Sequence, residues 1–124
     1  MTLIEQLNIK NLTLTDTGFT AQMELNEFHA QHLGYLTGGA SLAFGETTAG
    51  MASNMLLDDE HTALGQSVSG NHLSPTGIDN VTLEGRGTLL HKGRTSHVWD
   101  IQLATKDGRL ISHITVTNAI IQKP

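Results

Sequence analysis

A single carboxylate, Glu46, stands within a stretch of small and apolar residues whose spacing is helical. Two glycines, Gly38 and Gly39, directly precede the predicted helix. Backbone amides at a helix N-terminus have no intrahelical partner, and glycine lets a ligand approach them closely, so this turn can hold an oxyanion. A carboxylate beside small residues at a cleft can act as a base or a nucleophile. The alternative is that Glu46 lies on a solvated strip of the helix or pairs with a basic residue.

Other residue types offer less chemistry. The chain has no cysteine, which excludes disulfides, a thiol nucleophile and thiolate-bound metals. Its seven histidines show no metal-ligand spacing, so we expect no metal site. Ser41 lacks the strand-to-helix elbow of serine hydrolases and is interpreted as an early helix residue able to hydrogen-bond backward. Trp99, on a predicted strand, is expected to pack rather than to recognise a ligand.

Composition narrows the class of partner. The 124 residues suit one domain spanning 1–124, and 38% hydrophobic with 15% charged residues indicates a globular chain. The net charge of −5, without a lysine or arginine cluster, argues against nucleic acid and anionic membranes as partners. A small molecule is the expected partner. No stretch has the pattern of a secretory signal or a membrane span, so we expect a cytoplasmic protein.

The elements that must position Glu46 follow from hydrophobic periodicity. Alternation predicts a hairpin, then helical spacing predicts one long helix, and alternation returns for four more strands. Tight turns at Lys92-Gly93 and 106–109 join the last three strands as hairpins. The predicted strands cover 8–15, 19–25, 63–73, 81–91, 95–105 and 110–122, and the helix covers 40–57.

A helix that is apolar nearly all round must be covered by the strands, which are the only other material available. The sequence therefore predicts an α+β hotdog fold, in which a curved antiparallel sheet of about six strands wraps one long central helix. Met51 and Met55 are expected in the core, although Met51 could also touch a ligand. Such a sheet leaves one edge open, and pairing two copies there would close it, so we expect a homodimer or a dimer of dimers.

These residues carry a resemblance. Gln31, Gly34, Gly38-Gly39-Ala40-Ser41 and Glu46, followed by "GQSVSGNHLSP" and "LLHKGRTSHVWDIQLATKDGRLISHITVTNAII", resemble hotdog-fold acyl-CoA thioesterases of the phenylacetate-pathway and menaquinone-pathway type. The similarity covers residues 25–121. It implies hydrolysis of an acyl-CoA, with an aromatic or other compact acyl group, to the free acid and coenzyme A. Coenzyme A would be part of the substrate, and no separate cofactor is expected.

The resemblance also assigns roles residue by residue. It makes Glu46 the general base or nucleophile, the Gly38 amide the oxyanion donor, and Gln31 the side chain that orients the carbonyl or water. The glutamate would reach the glycine turn of the partner subunit. Substrate contacts fall on Thr37, Gly39, Gly50, Met51 and His72. Coenzyme A contacts fall on Gly65, Leu73, Ser74, Pro75, His91, Lys92, Gly93, Arg94, Thr95 and Ser96.

Two positions depart from the family pattern. Thr37 stands where the family usually has a histidine, and Gly50 stands where a hydroxyl group is common four residues after the glutamate. Both changes leave the carboxylate and the glycine turn in place but remove groups that position the acyl part. Two alternatives stay open: a non-catalytic acyl-CoA binding or sensing domain, and an acyl-thioester dehydratase, against which the missing histidine argues.

Overall fold

The computed structural model describes all 124 residues. Two antiparallel strands come first, then the long helix, then four further strands, with one short helix at the start and one 3-10 turn before the long helix. The elements are α1 (Leu3–Leu7), β1 (Ile9–Leu14), β2 (Gly18–Glu24), the 3-10 turn (Glu27–His29), α2 (Gly38–Leu56), β3 (His61–His72), β4 (Thr82–Lys92), β5 (Ser96–Ala104) and β6 (Leu110–Gln122).

All six strands form one antiparallel sheet in the order β1-β2-β4-β5-β6-β3. The hairpins β4-β5 and β5-β6 are local, whereas β3 crosses over to pair with β6 at the far end of the chain. In that pair Gly65 lies opposite Asn118 and His72 lies opposite Ser112. The twelve-residue strand β3 is therefore an open edge, with its backbone groups available to a further strand.

One face of α2 packs on the concave face of the sheet. Phe44, Ala49 and Ala52 of the helix are buried in the same apolar cluster as Phe19 and Trp99. The Phe19 and Trp99 rings meet edge to face with centroids 5.2 Å apart, a favourable aromatic arrangement. The helix packs most extensively on β6 and β3, the last two strands of the sheet order.

The architecture confirms the predicted hotdog fold, with one long helix and a six-stranded antiparallel sheet. The helix begins at Gly38, two residues earlier than predicted, because both glycines belong to its first turn. The helix α1 was not predicted, although Thr2 and Glu5 form a capping box that is visible in the sequence. No helix of the chain is both long and apolar enough to span a bilayer.

The expectation that Met51 and Met55 lie in the core was wrong for the single chain. They are 43% and 53% exposed. Both lie on the side of α2 that the sheet leaves uncovered, and Glu46 and Asn54 border this side next to β3. Met51 and Met55 are four residues apart and therefore lie on adjacent turns of the same side of the helix. The helix is thus covered on one face only, and its second apolar side is open.

Candidate active site

A cavity of about 330 Å³ opens at the N-terminus of α2. It lies where the helix start, the loop before it, the end of β3 and the beginning of β6 converge. Its apolar wall is formed by Leu36, Leu73 and Ile111, and the aromatic ring of Tyr35 stands at its exposed rim. The remaining lining residues are small or polar: Gln31, Gly38, Ser41, His72, Ser74, Pro75 and Ser112.

The first turn of α2 presents free hydrogen-bond donors to this cavity. Thr37 is the N-cap in an extended conformation, and its side chain makes no capping hydrogen bond. The Gly38 and Gly39 amides have no backbone acceptor, as expected for the first residues of a helix. No acidic residue lies in this turn, so the positive end of the helix dipole is uncompensated. The turn can therefore stabilise an oxyanion.

Gln31 is fixed by the loop that precedes the helix. Its Oε1 accepts hydrogen bonds from the amides of Leu33 and Tyr35, the second at 3.2 Å. Gly34 makes this tight loop possible, because its φ of +88° lies in a region that other residues rarely adopt. With Oε1 occupied, the side-chain NH₂ group of Gln31 remains free to donate to a ligand in the cavity.

His72 stands over the start of the helix. A Cβ built on Gly38 would lie only 2.4 Å from the Nε2 atom of His72, so the ring occupies the space that glycine leaves open. The other ring nitrogen, Nδ1, is hydrogen-bonded to the Ser112 hydroxyl at 2.9 Å. The structure thus brings two predicted site residues, Gly38 and His72, into direct proximity.

The segment after β3 forms the outer wall of the cavity. The Leu73 amide donates to the Ile111 carbonyl at 2.8 Å, which continues the β3-β6 pairing past the end of the strand. The guanidinium of Arg109 donates to the Pro75 carbonyl at 2.7 Å and ties this wall to the β5-β6 turn. Three of the predicted coenzyme A residues, Leu73, Ser74 and Pro75, therefore lie at this cavity.

Glu46 lies outside the cavity of its own chain. Its side chain is exposed and rests against Gly65 of β3, where an added Cβ would stand 2.9 Å from Oε2. It forms no ion pair, since the three ion pairs of the chain lie elsewhere. Eight residues of helix separate it from Gly38, an axial distance of about 12 Å at 1.5 Å per residue. One thioester carbonyl cannot touch both groups within a single chain.

The predicted coenzyme A hairpin is also distant from its own chain's cavity. Ser96 pairs with Ala119 of β6, whereas His72 pairs with Ser112, seven residues earlier on the same strand. At about 3.3 Å per residue this corresponds to roughly 23 Å. His91, Lys92 and Arg94 are exposed around the turn. Gly50 and Met51 accompany Glu46 on the open side of α2, with free space above Gly50.

A buried polar network, which sequence reasoning missed, lies beneath the middle of α2. The Ser53 hydroxyl accepts hydrogen bonds from Trp99 Nε1 and Asn118 Nδ2 at 2.8 and 3.1 Å, and it lies 2.8 Å from His97 Nδ1. Because the hydroxyl already accepts twice, it donates to His97, which is therefore the neutral Nε2–H tautomer. Burial, reinforced by the nearby Lys92 and His91, holds the pKa of His97 below its ordinary value.

Period-two burial was the signal that could have revealed these polar core residues. His97 is two residues from the buried Trp99 and so lies on the same face of β5. Ser112 and Asn118 likewise share one face of β6 with the buried Ile114 and Val116. Each therefore points inward, where a polar side chain requires a partner. Ser41 is buried too, but its hydroxyl has no hydrogen-bond partner, so the expected backward bond is not formed. No group of three or more metal-ligating side chains converges anywhere in the chain.

The chain is similar to known thioesterases in sequence and in fold. Residues 33–112 match the model of the thioesterase superfamily. The crystal structure of yhdA from Lactococcus lactis is 42% identical, covers all of both chains and superposes with a TM-score of 0.96. The proofreading thioesterase EntH of Cronobacter turicensis is 30% identical over 120 residues, which cover 97% of this chain and 86% of EntH.

A more distant structure shares the fold. A Streptococcus pneumoniae protein solved with coenzyme A is 19% identical, aligns over 94% of this chain and 88% of its own, and has a TM-score of 0.82. The family match covers the glycine turn, the whole of α2 and the strands β3, β4 and β5. The chain belongs to the thioesterase superfamily, and it is a thioester hydrolase.

Proposed function

We propose that this protein hydrolyses an acyl-CoA, with an aromatic or other compact acyl group, at a site shared between two subunits. One observation carries the proposal. Glu46 rests against Gly65, and Gly38 lies under His72, so the carboxylate and the oxyanion turn face two points of the same open edge strand, β3. They are too far apart to cooperate within one chain, but a second copy can bring them together.

The register of β3 supports such a pairing. If two β3 strands pair antiparallel about a two-fold axis at Ser69, the bulge at Gln66 offsets the register by one residue and places Gly65 of one chain opposite His72 of the other. Adjacent strands are about 4.8 Å apart. Glu46, which lies over Gly65, then approaches the partner's Gly38, which lies under the partner's His72. Two equivalent sites result, each with the carboxylate from one subunit and the glycine turn from the other.

The exposed apolar side chains support the same pairing. Met51 and Met55 on the uncovered side of α2 and Leu64 on the edge strand β3 are all about half exposed. Burial of such side chains favours association. We expect a species of at least twice 13.3 kDa at micromolar concentration, measured by light scattering. The same pairing carries the hairpin at 91–96 toward the partner's cavity, where Arg94 can meet the phosphates of coenzyme A.

Two routes of thioester hydrolysis are compatible with this site. In the first, Glu46 takes a proton from water, the hydroxide attacks the thioester carbonyl, and the oxyanion is held by the partner's Gly38 amide. Collapse expels the coenzyme A thiolate, which takes the proton back from Glu46. In the second, the carboxylate itself attacks, expels the thiolate and forms an anhydride that water then opens. The free NH₂ group of Gln31 orients the carbonyl or the water.

The volume of the cavity limits the size of the acyl group that it can bind. Its walls are the apolar side chains of Leu36, Leu73 and Ile111, with Tyr35 at the rim, and its volume is about 330 Å³. Such a volume accepts an aromatic ring or a short chain and excludes a long fatty acyl group unless the walls move. Hydrolysis of benzoyl-CoA, phenylacetyl-CoA, acetyl-CoA and palmitoyl-CoA, followed by thiol release, compares these classes directly. We expect the two aromatic thioesters to be turned over faster than palmitoyl-CoA.

The carboxylate is tested with Glu46→Gln, which keeps the shape but removes proton acceptance and nucleophilicity. General acid–base catalysis is typically worth about a hundredfold to ten-thousandfold, so turnover should fall by that range while melting temperature and acyl-CoA affinity are retained. Glu60→Gln, at another exposed glutamate, is the matched control. A Glu46→Gln rate within a few-fold of wild type would exclude Glu46 as base or nucleophile and favour a binding domain.

A single turnover in ¹⁸O-labelled water tests the anhydride route, because label in Glu46 can arise only from it. With enzyme in excess, attack of water on an anhydride at the Glu46 carbonyl places ¹⁸O in Glu46, whereas direct attack of water on the thioester places all of the label in the released acid. Mass spectrometry of the peptide that contains Glu46 measures the ¹⁸O incorporated into its side chain.

A further inference from the structure

Ser112 is a fully buried hydroxyl at the base of the cavity, and its side chain has one partner, Nδ1 of His72 at 2.9 Å. We propose that Ser112 is a positioning residue that holds the His72 ring over Gly38 so that Nε2 meets the carbonyl of the bound thioester. This inference rests on the proposed function, because it requires a carbonyl group to bind at the glycine turn.

The sheet places the two residues in direct opposition. Ser112 pairs with His72 across β6 and β3, so both side chains project from the same face, toward the start of α2. Gly38 lies immediately beneath the ring: an added Cβ would stand 2.4 Å from Nε2 and 2.6 Å from Cδ2. The unpaired Gly38 amide and the Nε2 atom therefore border the same small space.

His72 needs this support because little else restrains it. The residue is exposed, and the bond to Ser112 is the only hydrogen bond of its ring. An unrestrained histidine at the end of a strand samples several rotamers, and ordering it only on binding costs free energy. Ser112 has no other side-chain partner and is shielded from water, so its hydroxyl is committed to His72.

The hydroxyl also sets the ring's proton position. When Ser112 donates to Nδ1, the proton of neutral His72 resides on Nε2, which then becomes a donor beside the Gly38 amide. A bound carbonyl or oxyanion would receive both donors, which is the arrangement that stabilises developing negative charge. Serine can also accept from Nδ1–H, so the empty site can hold both tautomers, and the arriving carbonyl selects the Nε2–H form.

The first test is spectroscopic. We would record ¹H–¹⁵N long-range spectra of the His72 ring with and without phenacyl-CoA, a thioether in which a methylene separates the carbonyl from sulfur and prevents hydrolysis. In the wild type we expect the analogue to convert His72 to the Nε2–H form. In Ser112→Ala the ring should stay a mixture of tautomers, and Ser112→Thr, which keeps a hydroxyl, should restore the conversion.

The matched control is Ser41→Ala, since Ser41 is equally buried and lines the same cavity but its hydroxyl has no partner. It should leave the His72 signals unchanged. If Ser112→Ala does not fold, Ser112→Cys, similar in size but a weak donor, takes its place. Unchanged His72 signals in the Ser112 variant would overturn the proposal.

The second test is a double-mutant cycle on kcat/KM for benzoyl-CoA. Loss of one neutral hydrogen bond corresponds to roughly a 3- to 10-fold decrease for Ser112→Ala. If Ser112 acts through His72, the variant that combines His72→Ala with Ser112→Ala should be no slower than His72→Ala alone. A full additional loss in the double variant would contradict the proposal.

The two tests also distinguish this inference from the proposed function. A wild-type protein that binds phenacyl-CoA and converts His72, yet shows the same benzoyl-CoA turnover with Glu46→Gln, would overturn the role of Glu46 and leave the role of Ser112 supported. If Glu46→Gln loses turnover as expected but the His72 signals do not depend on Ser112, the role of Glu46 is supported and the role of Ser112 is overturned. A protein that neither binds nor hydrolyses the thioesters contradicts both.

Discussion

The Glu46 carboxylate lies against Gly65, where an added Cβ would stand 2.9 Å from Oε2 and 3.0 Å from Cδ. The absence of a side chain at position 65 lets the carboxylate lie along the open edge of the sheet. In the proposed dimer this edge faces the partner's glycine turn. Gly65 was predicted to contact coenzyme A, and in the structure it lies against the Glu46 carboxylate of its own chain.

Gly65→Ala should therefore lower turnover more than stability. The atom that the new methyl group meets is the end of a flexible, exposed side chain, so the carboxylate can swing away at little cost to folding. Displacement of a catalytic group by about 1 Å can cost a hundredfold, and we expect kcat to fall roughly tenfold to hundredfold. The measurements are kcat for benzoyl-CoA and the melting temperature.

Gly77→Ala is the control, because a Cβ at Gly77 meets nothing within 4 Å. It should change neither quantity. Wild-type kcat in Gly65→Ala would show that the position of the carboxylate against β3 does not matter for turnover.

Arg94 should affect binding of the coenzyme A part only. It is exposed at the β4-β5 turn, and a phosphate contact far from the carbonyl stabilises the ground state and the transition state equally. Arg94→Ala should raise KM for acyl-CoA severalfold with little change in kcat. Steady-state kinetics with benzoyl-CoA and with its N-acetylcysteamine thioester, which lacks the phosphates, measure the difference.

The short thioester should show no effect of the substitution. Arg86→Ala, which removes an exposed arginine on another part of β4, should leave KM unchanged for both substrates. An equal KM for acyl-CoA in wild type and Arg94→Ala would remove Arg94 from the site.

Stability should decrease at acid pH because of His97. Burial is the main reason that the pKa of His97 lies below 6.5 in the folded chain, with Lys92 and His91 adding to the effect. The unfolded chain binds the proton more readily, so the full contribution to stability is present above about pH 6.5 and is lost as pH falls toward the folded pKa. Urea midpoints at pH 7.5 and 5.5 measure this loss.

His97→Gln removes the titrating group from the buried network and should show a smaller loss between the two pH values, although it is less stable at pH 7.5. All other ionisable groups are common to both proteins, so the comparison isolates His97. An identical loss in the variant and the wild type would assign the pH dependence to other groups.

Periodicity was sufficient to predict the helix and the strands, because each buries one face and its apolar residues therefore recur with the period of a helix or a strand. Ser96–Ala104 alternates strictly, and the helix has apolar residues at every turn. Periodicity did not show which element, or which subunit, covers each apolar face. Met51 and Met55 have the spacing of core residues, and only the packing of α2 shows that the sheet covers the other side.

The candidate site was predicted in its residue types but not in its distances. Gly38, Gln31 and His72 come together because β3 crosses over to pair with β6, a contact between residues about forty positions apart that no local pattern specifies. The rise of α2 over eight residues separates Glu46 from Gly38 within the chain. Ser112 was missed because one serine in an alternating strand gives no indication of its partner until the register is known.

Subunit complementation tests the shared site most directly. Glu46→Gln lacks the carboxylate, and Gly38→Pro lacks the oxyanion amide. The helix backbone accepts proline at its first position, but the proline Cβ would also displace the His72 ring of the same subunit. Each variant alone should be inactive. In a mixed dimer, one site has Glu46 from the proline-bearing subunit and Gly38 from the other subunit, and is therefore complete.

The measurement is the benzoyl-CoA hydrolysis rate of the two variants co-expressed in equal amounts, with dimer mass and melting temperature checked for each. Random pairing makes half of the dimers mixed, and one of the two sites in each is intact, so activity should recover to about a quarter of wild type. Activity no greater than the average of the two separate variants would contradict a site formed by Glu46 of one subunit and Gly38 of the other.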